Sequence, residues 1–354
     1  MQTRDDEPAA GRLTMASPRP LIARGERAPD FALPIDGQQR PTRYYGLIGG
    51  RPALLVLAGQ QRDAATRDLT AQLPTLVPGD LDVHVVVAGL PPDRDTTSHP
   101  PVDTFHDHDA RVHEAYGVTV EDAPVVVVLD PNQRVLTTLP ADDVDTTLAQ
   151  VTAVLPEPVD DDGALAPRLA PVLHVPDVLD RSLCELLMQR WETGGAVATG
   201  VETVVEGARA EATDLRRKRR RDIVITDRGL QRRLTQHIGG RLFPELHKAF
   251  AFQAGGFEGF KVGCYAAEDR GHFEAHRDNL SAGTAHRRFG LTINLNDGYV
   301  GGELRFPEYG PTRFQPAAGE ALVFSGSLLH EVLPVERSRR FVLLSFVLAR
   351  SRGA

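Results

Sequence analysis

A stretch rich in proline, acid and glycine, PEPVDDDGALAP at 156–167, separates two halves of the 354-residue chain with different textures. Before it, short apolar runs alternate with stretches of helical spacing: PALLVLAG at 52–59, LDVHVVVAGL at 81–90 and APVVVVLDPNQRVL at 123–136. Val-rich runs of this length, bounded by turn residues, predict buried strands of an α/β sheet. After it come two amphipathic helical stretches, DVLDRSLCELLMQRWETG and DRGLQRRLTQHIGGRLFPELHKAF. From 257 onward the chain becomes short strands punctuated by glycine. Helices first and strands afterwards predict an α+β domain whose strands form a sandwich or barrel. The expected boundaries are a lead-in over 1–22, an α/β domain over 23–155, a linker over 156–168 and the α+β domain over 169–354.

Composition narrows the function classes. No apolar run reaches the roughly eighteen residues of a membrane span. The opening MQTRDDEPAAGRLTMASPRP has no apolar core of a secretory signal, so the expected compartment is the cytoplasm, without a membrane partner. Two cysteines, Cys184 and Cys264, exclude a disulfide framework and a Cys-rich zinc module. A net charge of −8 argues against general nucleic-acid binding. The basic run RRKRRR at 216–221 is expected as a solvated strand or loop rim, with contact to an anionic substrate or acidic carrier protein as its functional reading.

The densest chemistry lies in GHFEAHRDNL at 271–280. His272, Glu274, His276 and Asp278 alternate, so in an extended chain all four project from one face. Parity alone does not choose among them. His276 and Asp278 can grip one ion, and His330 in SLLHEVLPV offers a third ligand where a strand is expected to end. Two histidines and one carboxylate on one face of an ion leave coordination positions open, as oxygen-activating non-haem Fe(II) requires.

The segments HRD, RFGLTINLND, GGELRFP, ALVFSGSLLHEVLPV and RRF follow one another in order. With them, the stretch from about 171 to 349 resembles the prolyl-4-hydroxylase-like branch of the Fe(II)/2-oxoglutarate oxygenases. The resemblance implies a double-stranded β-helix, or jelly roll, with flanking helices, and iron on His276, Asp278 and His330. It puts Arg340, ten positions beyond His330 and followed by Phe341, in a bidentate pair with the distal carboxylate of 2-oxoglutarate. Tyr265 and Thr292 are its candidates for the same pocket, and His272 and Arg305 for the substrate side; Glu274 is expected to be solvated. The implied cofactors are Fe(II), 2-oxoglutarate and O2, with ascorbate in support. The implied reaction oxidises an unactivated C–H bond, by default to an alcohol, while 2-oxoglutarate gives succinate and CO2. Related halogenases keep a small residue where Asp278 stands, which argues against halogenation. A small-molecule or specialised-metabolite substrate is preferred to a peptidyl proline, with an acidic carrier protein or peptide as a further partner. The rival of a different class is a catalytically silent jelly-roll scaffold.

In the first half, GERAPDFALPIDGQQRPTRYYGLIGGRPALLVLAG, HDHDARVHEAYGV and APVVVVLDPNQRVL resemble a peroxiredoxin-type domain of thioredoxin-like fold. Pro124 falls where that fold keeps a cis-proline. Its peroxidatic cysteine would begin the helix after the first long strand. Here that region reads AGQQRDAATRDL, without a cysteine, so the domain is expected to be redox-inactive. Structural support, homodimer formation, or recognition of a substrate or carrier remain as its roles. His106, His108 and His113 are expected in a polar loop, with a second metal site as the other reading.

Overall fold

The structure, a computed structural model, describes residues 20–35, 40–48, 50–59, 68–69, 71–72, 81–88, 102–121, 124–141, 143–155, 169–199, 201–205, 208–212 and 214–350. The chain divides into two compact units, Met1–Pro158 and Val159–Ala354. The linker and most of the lead-in lie outside the described residues, as do most of the helical stretch after the first long strand and residue 123, which sets the isomer of Pro124.

The first unit has the α/β thioredoxin-like fold. Its five-stranded sheet is built from β1 (Ala53–Ala58), β2 (Asp82–Ala88), β3 (Asp103–Asp107), β4 (Val125–Leu129) and β5 (Val135–Pro140), with helices α1 (Arg111–Tyr116) and α2 (Val144–Val154). The order across the sheet is β3-β2-β1-β4-β5. β1 runs parallel to β2 and antiparallel to β4. All six residues of β1 are buried because the sheet is covered on both faces, which explains the unbroken apolar run. Leu55 and Leu57 pack with Phe105 and Tyr116 on one face. Leu54, Val56 and Ala58 pack with Leu148 and Val151 on the other.

The second unit is a jelly roll of two antiparallel sheets. Besides two two-stranded ribbons, Val201–Val205 with Ala208–Ala212 and Val300–Gly301 with Val335–Arg337, its elements include β6 (Val172–Val175), α3 (Arg181–Thr193), β7 (Val197–Ala198), β8 (Arg221–Val224), α4 (Arg228–Phe250), β9 (Ala254–Phe257), β10 (Lys261–Ala266), β11 (Phe273–His276), β12 (Arg287–Asn294), β13 (Leu304–Arg305), β14 (Arg313–Phe314), β15 (Ala321–Ser325), β16 (His330–Val332) and β17 (Arg339–Ala349). The large sheet runs β6-β15-β12-β17-β10-β8-β7, with β9 also on β17. The small sheet runs β11-β16-β13-β14. Both helices start at an aspartate cap: Asp180 accepts from Leu183 N and Asp227 from Leu230 N, each at 2.8 Å.

Strand alternation in β17 divides the core. Phe341, Leu343 and Val347 pack with Leu187, Leu234 and Ile238 of the helices. Val342 packs instead with Leu304, Phe306 and Phe324 between the sheets. Arg340 shares the parity of Val342, so a two-residue period carries a cation inward. No helix among the described residues is long and apolar enough to cross a membrane.

Candidate metal centre and its cavity

His276 closes β11 and His330 opens β16, and the two stand opposite each other in the antiparallel ladder. Asp278 lies just past β11, where its N–H donates to Gly326 O at 2.9 Å. The pairing shifts register between Phe273 and His276, so the single-face parity of 272–278 does not survive. His276, Asp278 and His330 each offer one ligand atom, and these lie within 4.8 Å of one another. Each histidine Nε2 is 3.6 Å from an oxygen of Asp278.

Hydrogen bonding leaves the metal-facing lone pairs available. Nδ1 of His276 donates to Glu274 O at 2.8 Å, and Nδ1 of His330 to Leu328 O at 2.9 Å. That assigns the proton to Nδ1 and the lone pair to Nε2 in both rings. Burial, with the charge of His330 as the next cause, lowers the pKa of His276 to about 3. Burial raises that of Asp278. A carboxylate lacking enough counter-charge, beside two rings that turn their Nε2 lone pairs toward it, suits a divalent cation, which would supply the missing charge. Phe273 stacks on the His276 ring at 3.6 Å between centroids, and Phe324 tilts against His330 at 4.6 Å. Gly290 makes room for Asp278: a Cβ there would stand 2.9 Å from the Phe324 ring and 3.0 Å from Asp278 Oδ2.

The three donors line a cavity of about 920 Å³ that also reaches Arg340, Tyr265 and Thr292. Arg340 is 2% exposed and has no carboxylate partner among the described residues. It donates from Nη1 to Gly302 O at 2.9 Å and from Nη2 and Nε to Asn294 Oδ1 at 2.9 and 3.2 Å. Asn294 is turned toward it because its amide nitrogen donates to Tyr299 Oη and Pro316 O. These bonds leave guanidinium N–H groups to spare, so a buried cation awaits an anion. Gly302 has a φ of +73°, and a Cβ there would reach 3.2 Å from Arg340 Cδ. Arg339, of the opposite parity, is exposed beside Glu268.

Three sequence expectations need correction. His272 does not line the cavity, because Arg270 O and Arg216 O occupy both of its ring nitrogens at 2.9 and 2.8 Å. Arg305 also lies off the lining, tied to Glu331 Oε1 at 2.6 Å across β13 and β16. The basic run is not wholly a solvated rim: Lys218 and Arg220 are turned into the cavity wall. Sequence reasoning missed Phe273, Gly290 and Asn294 as supports of the site. Only the strand parity of 218, 220 and 222 carried a legible signal for the inward cations. In the first unit, His113 is locked between Asp107 and Ala58 O, away from any shared ion. Among the described residues, the cavity trio is the one cluster suited to a metal.

Residues 260–348 match the family model of the 2OG-Fe(II) oxygenase superfamily. Solved structures similar to this chain include a Pseudomonas putida prolyl-4-hydroxylase, 20% identical, covering 54% of this chain and 97% of that one at a TM-score of 0.39. A Trichoplax adhaerens prolyl hydroxylase, solved with a hypoxia inducible factor peptide fragment, is 15% identical and covers 51% and 84% at 0.40. A Chlorobium tepidum chain described as a thiol:disulfide interchange protein DsbE is 18% identical and covers 37% and 96% at 0.31. No curated protein matches the chain.

Proposed function

We propose, from the premise that the carboxyl-terminal unit carries a 2OG-Fe(II) oxygenase domain and the protein is a dioxygenase, that His276, Asp278 and His330 hold Fe(II). Arg340, Tyr265 and Thr292 bind 2-oxoglutarate, and the product is an alcohol formed at a C–H bond of a small molecule. The observation that carries this reading is the shared cavity. One end has a metal-competent trio, and the other has a buried guanidinium with no carboxylate of its own. When bound, Fe(II) and 2-oxoglutarate supply the oxidising power, with release of succinate and CO2.

The chain's residues bind and orient. The two Nδ1–H bonds fix the ring planes, so the Nε2 lone pairs need no reorganisation when metal arrives. Arg340 neutralises the distal carboxylate in a dry setting, where a bidentate pair is strongest. Phe273 and Phe324 wall the trio from bulk water. A cavity of about 920 Å³ falls in the range of small-molecule sites. Arg217, Lys218 and Lys261 on its wall favour a substrate that carries a negative group.

The test is anaerobic addition of Fe(II) and 2-oxoglutarate, watched through the weak visible charge-transfer absorption of the chelate. Wild type should develop it, His276→Ala should not, and Arg340→Ala should require far more 2-oxoglutarate. No absorption in folded wild type, under conditions where an active oxygenase shows it, sinks the reading.

A further inference from the structure

We infer that Arg220 and Asp222 are positioning residues for the co-substrate, holding the Tyr265 hydroxyl as a donor toward the distal carboxylate of 2-oxoglutarate. The inference rests on the reading of the cavity just given. Its starting point is the basic run, in which the proposed chemistry gives Arg217 and Lys218 a part on the substrate side but leaves Arg220 without one. Asp222 on β8 pairs with Gly263 on β10, and Tyr265 pairs with Arg340 on β17, so the inner face of the large sheet carries all four groups in adjoining rows.

Asp222 is 2% exposed and takes the guanidinium of Arg220 as a two-pronged pair, with Nε to Oδ1 at 2.6 Å and Nη2 to Oδ2 at 2.9 Å. The remaining arm donates from Nη1 to Tyr265 Oη at 3.0 Å. A guanidinium cannot accept a hydrogen bond, so the tyrosine oxygen is the acceptor there and its own proton must go elsewhere. Tyr265 is 2% exposed, and among the described residues nothing accepts that proton. A buried hydroxyl without an acceptor is unfavourable unless a ligand supplies one. Arg340, whose guanidinium is 5.6 Å from the Tyr265 ring, shares the cavity and lacks a carboxylate. Both vacancies are met by one carboxylate.

Gly263 shows that the fork is built into the sheet. A Cβ at this position would stand 2.9 Å from both Arg220 Cδ and Asp222 Oδ1. A side chain here would have to displace the fork. Burial opposes the charge on Arg220, but the Asp222 carboxylate outweighs it and raises the pKa. Burial likewise pushes Asp222 up, and the charge and hydrogen bonds of Arg220 overcome it, so Asp222 lies below its usual range. The fork therefore stays ionised, and a charged donor on its oxygen makes the Tyr265 hydroxyl a stronger donor in turn.

Titrating 2-oxoglutarate into the anaerobic Fe(II) protein, followed by the charge-transfer absorption, reads co-substrate affinity without turnover. Arg220→Gln and Tyr265→Phe should each weaken that affinity about tenfold. Because Arg220 acts through the hydroxyl, the double variant should be no weaker than the weaker single one. Arg220→Lys, which keeps a charged donor, should recover part of the loss. In turnover, the KM for 2-oxoglutarate should rise while kcat at saturation is retained. Gly263→Ala keeps every polar group yet displaces the fork, and should weaken affinity in the same direction; it is the decisive variant if Arg220→Gln fails to fold. The inference is overturned if folded Arg220→Gln binds 2-oxoglutarate within about twofold of wild type, or if the double variant shows the product of the two single effects. Failure of wild type to form the chelate at all would instead remove the oxygenase reading on which it rests.

Discussion

Two histidine–aspartate groups, one buried in the first unit and one half-buried in the second, use the same side chains toward opposite ends. In the first, Asp107 Oδ2 accepts from Val112 N, His113 N and His113 Nδ1 at 2.9, 3.0 and 2.8 Å, and His113 Nε2 reaches Ala58 O at 2.9 Å. Both imidazole nitrogens are occupied. In the second, only the Nδ1 atoms of His276 and His330 are occupied, and both Nε2 atoms approach Asp278 at 3.6 Å, too far for a hydrogen bond. The carboxylates respond accordingly. Burial works to raise Asp107, but its bonds and charge contact with His113 hold it below the usual range. Burial lifts Asp278 above it, with no comparable bonds to resist. Saturation marks a structural group, and shared unsatisfied lone pairs mark a binding one.

Removing the same atom group from each site should therefore have opposite consequences. Asp278→Ala should abolish the Fe(II)–2-oxoglutarate absorption and lower turnover by orders of magnitude. The metal-free melting temperature should hold steady or rise, because a poorly compensated buried charge is gone. Asp107→Ala should leave 2-oxoglutarate titrations unchanged. It strands three donors in the core of the first unit and should cost about 3 kcal/mol or more of stability, read by denaturant unfolding. If Asp107→Ala instead weakened the chelate while the first unit kept its stability, saturation would not be the discriminating property.

What could be seen in the sequence follows the same division. Strand and helix texture, the Asp180 cap and the inward parity of Arg340 are local properties, and they are legible because each depends on spacing of two or four residues. The metal trio depended on family resemblance, since His330 is far from His276 in sequence and parity alone also nominated His272 and Glu274. Those two are displaced by a register shift within β11 and by the pairing of His272 with Arg216 and Arg219, which spacing does not encode. Gly290, Gly263 and Asn294 were silent for a further reason. Their roles are to leave space or to aim a carbonyl, and only the assembled sheet shows what occupies that space.

Gly290 supplies an intermediate effect. Gly290→Ala places a methyl group 2.9 Å from the Phe324 ring and 3.0 Å from Asp278 Oδ2, and one of them must move. Overpacking of this kind costs about 1–3 kcal/mol of stability. The carboxylate shift should also weaken iron binding more than 2-oxoglutarate binding measured at saturating iron. Iron titration of Gly290→Ala beside wild type checks this. An unchanged iron affinity would mean that the ring yields and the carboxylate does not.

A pH series separates the two residues of the metal pair. His276 in the folded, metal-free unit has a pKa lowered to about 3 by burial, against about 6.5 when unfolded. As pH falls below the unfolded value, the unfolded chain takes up a proton that the folded chain refuses. Stability is therefore lost between about 6.5 and 3, with a slope of at most about 1.4 kcal/mol per pH unit. Asp278 works in the opposite direction: its folded pKa is raised, so the folded chain is protonated first and gains stability as pH falls toward the unfolded value. Denaturant midpoints of metal-free protein from pH 7 to pH 4 should accordingly decline less in His276→Gln than in wild type, and more steeply in Asp278→Ala. Saturating divalent metal should raise wild-type stability but steepen its decline as pH falls, because bound metal excludes protons from Nε2 and from the Asp278 carboxylate in the folded chain alone. Parallel slopes in all three proteins would show that neither residue titrates differently on folding, and the contrast with the saturated pair of the first unit would then rest on hydrogen-bond geometry alone.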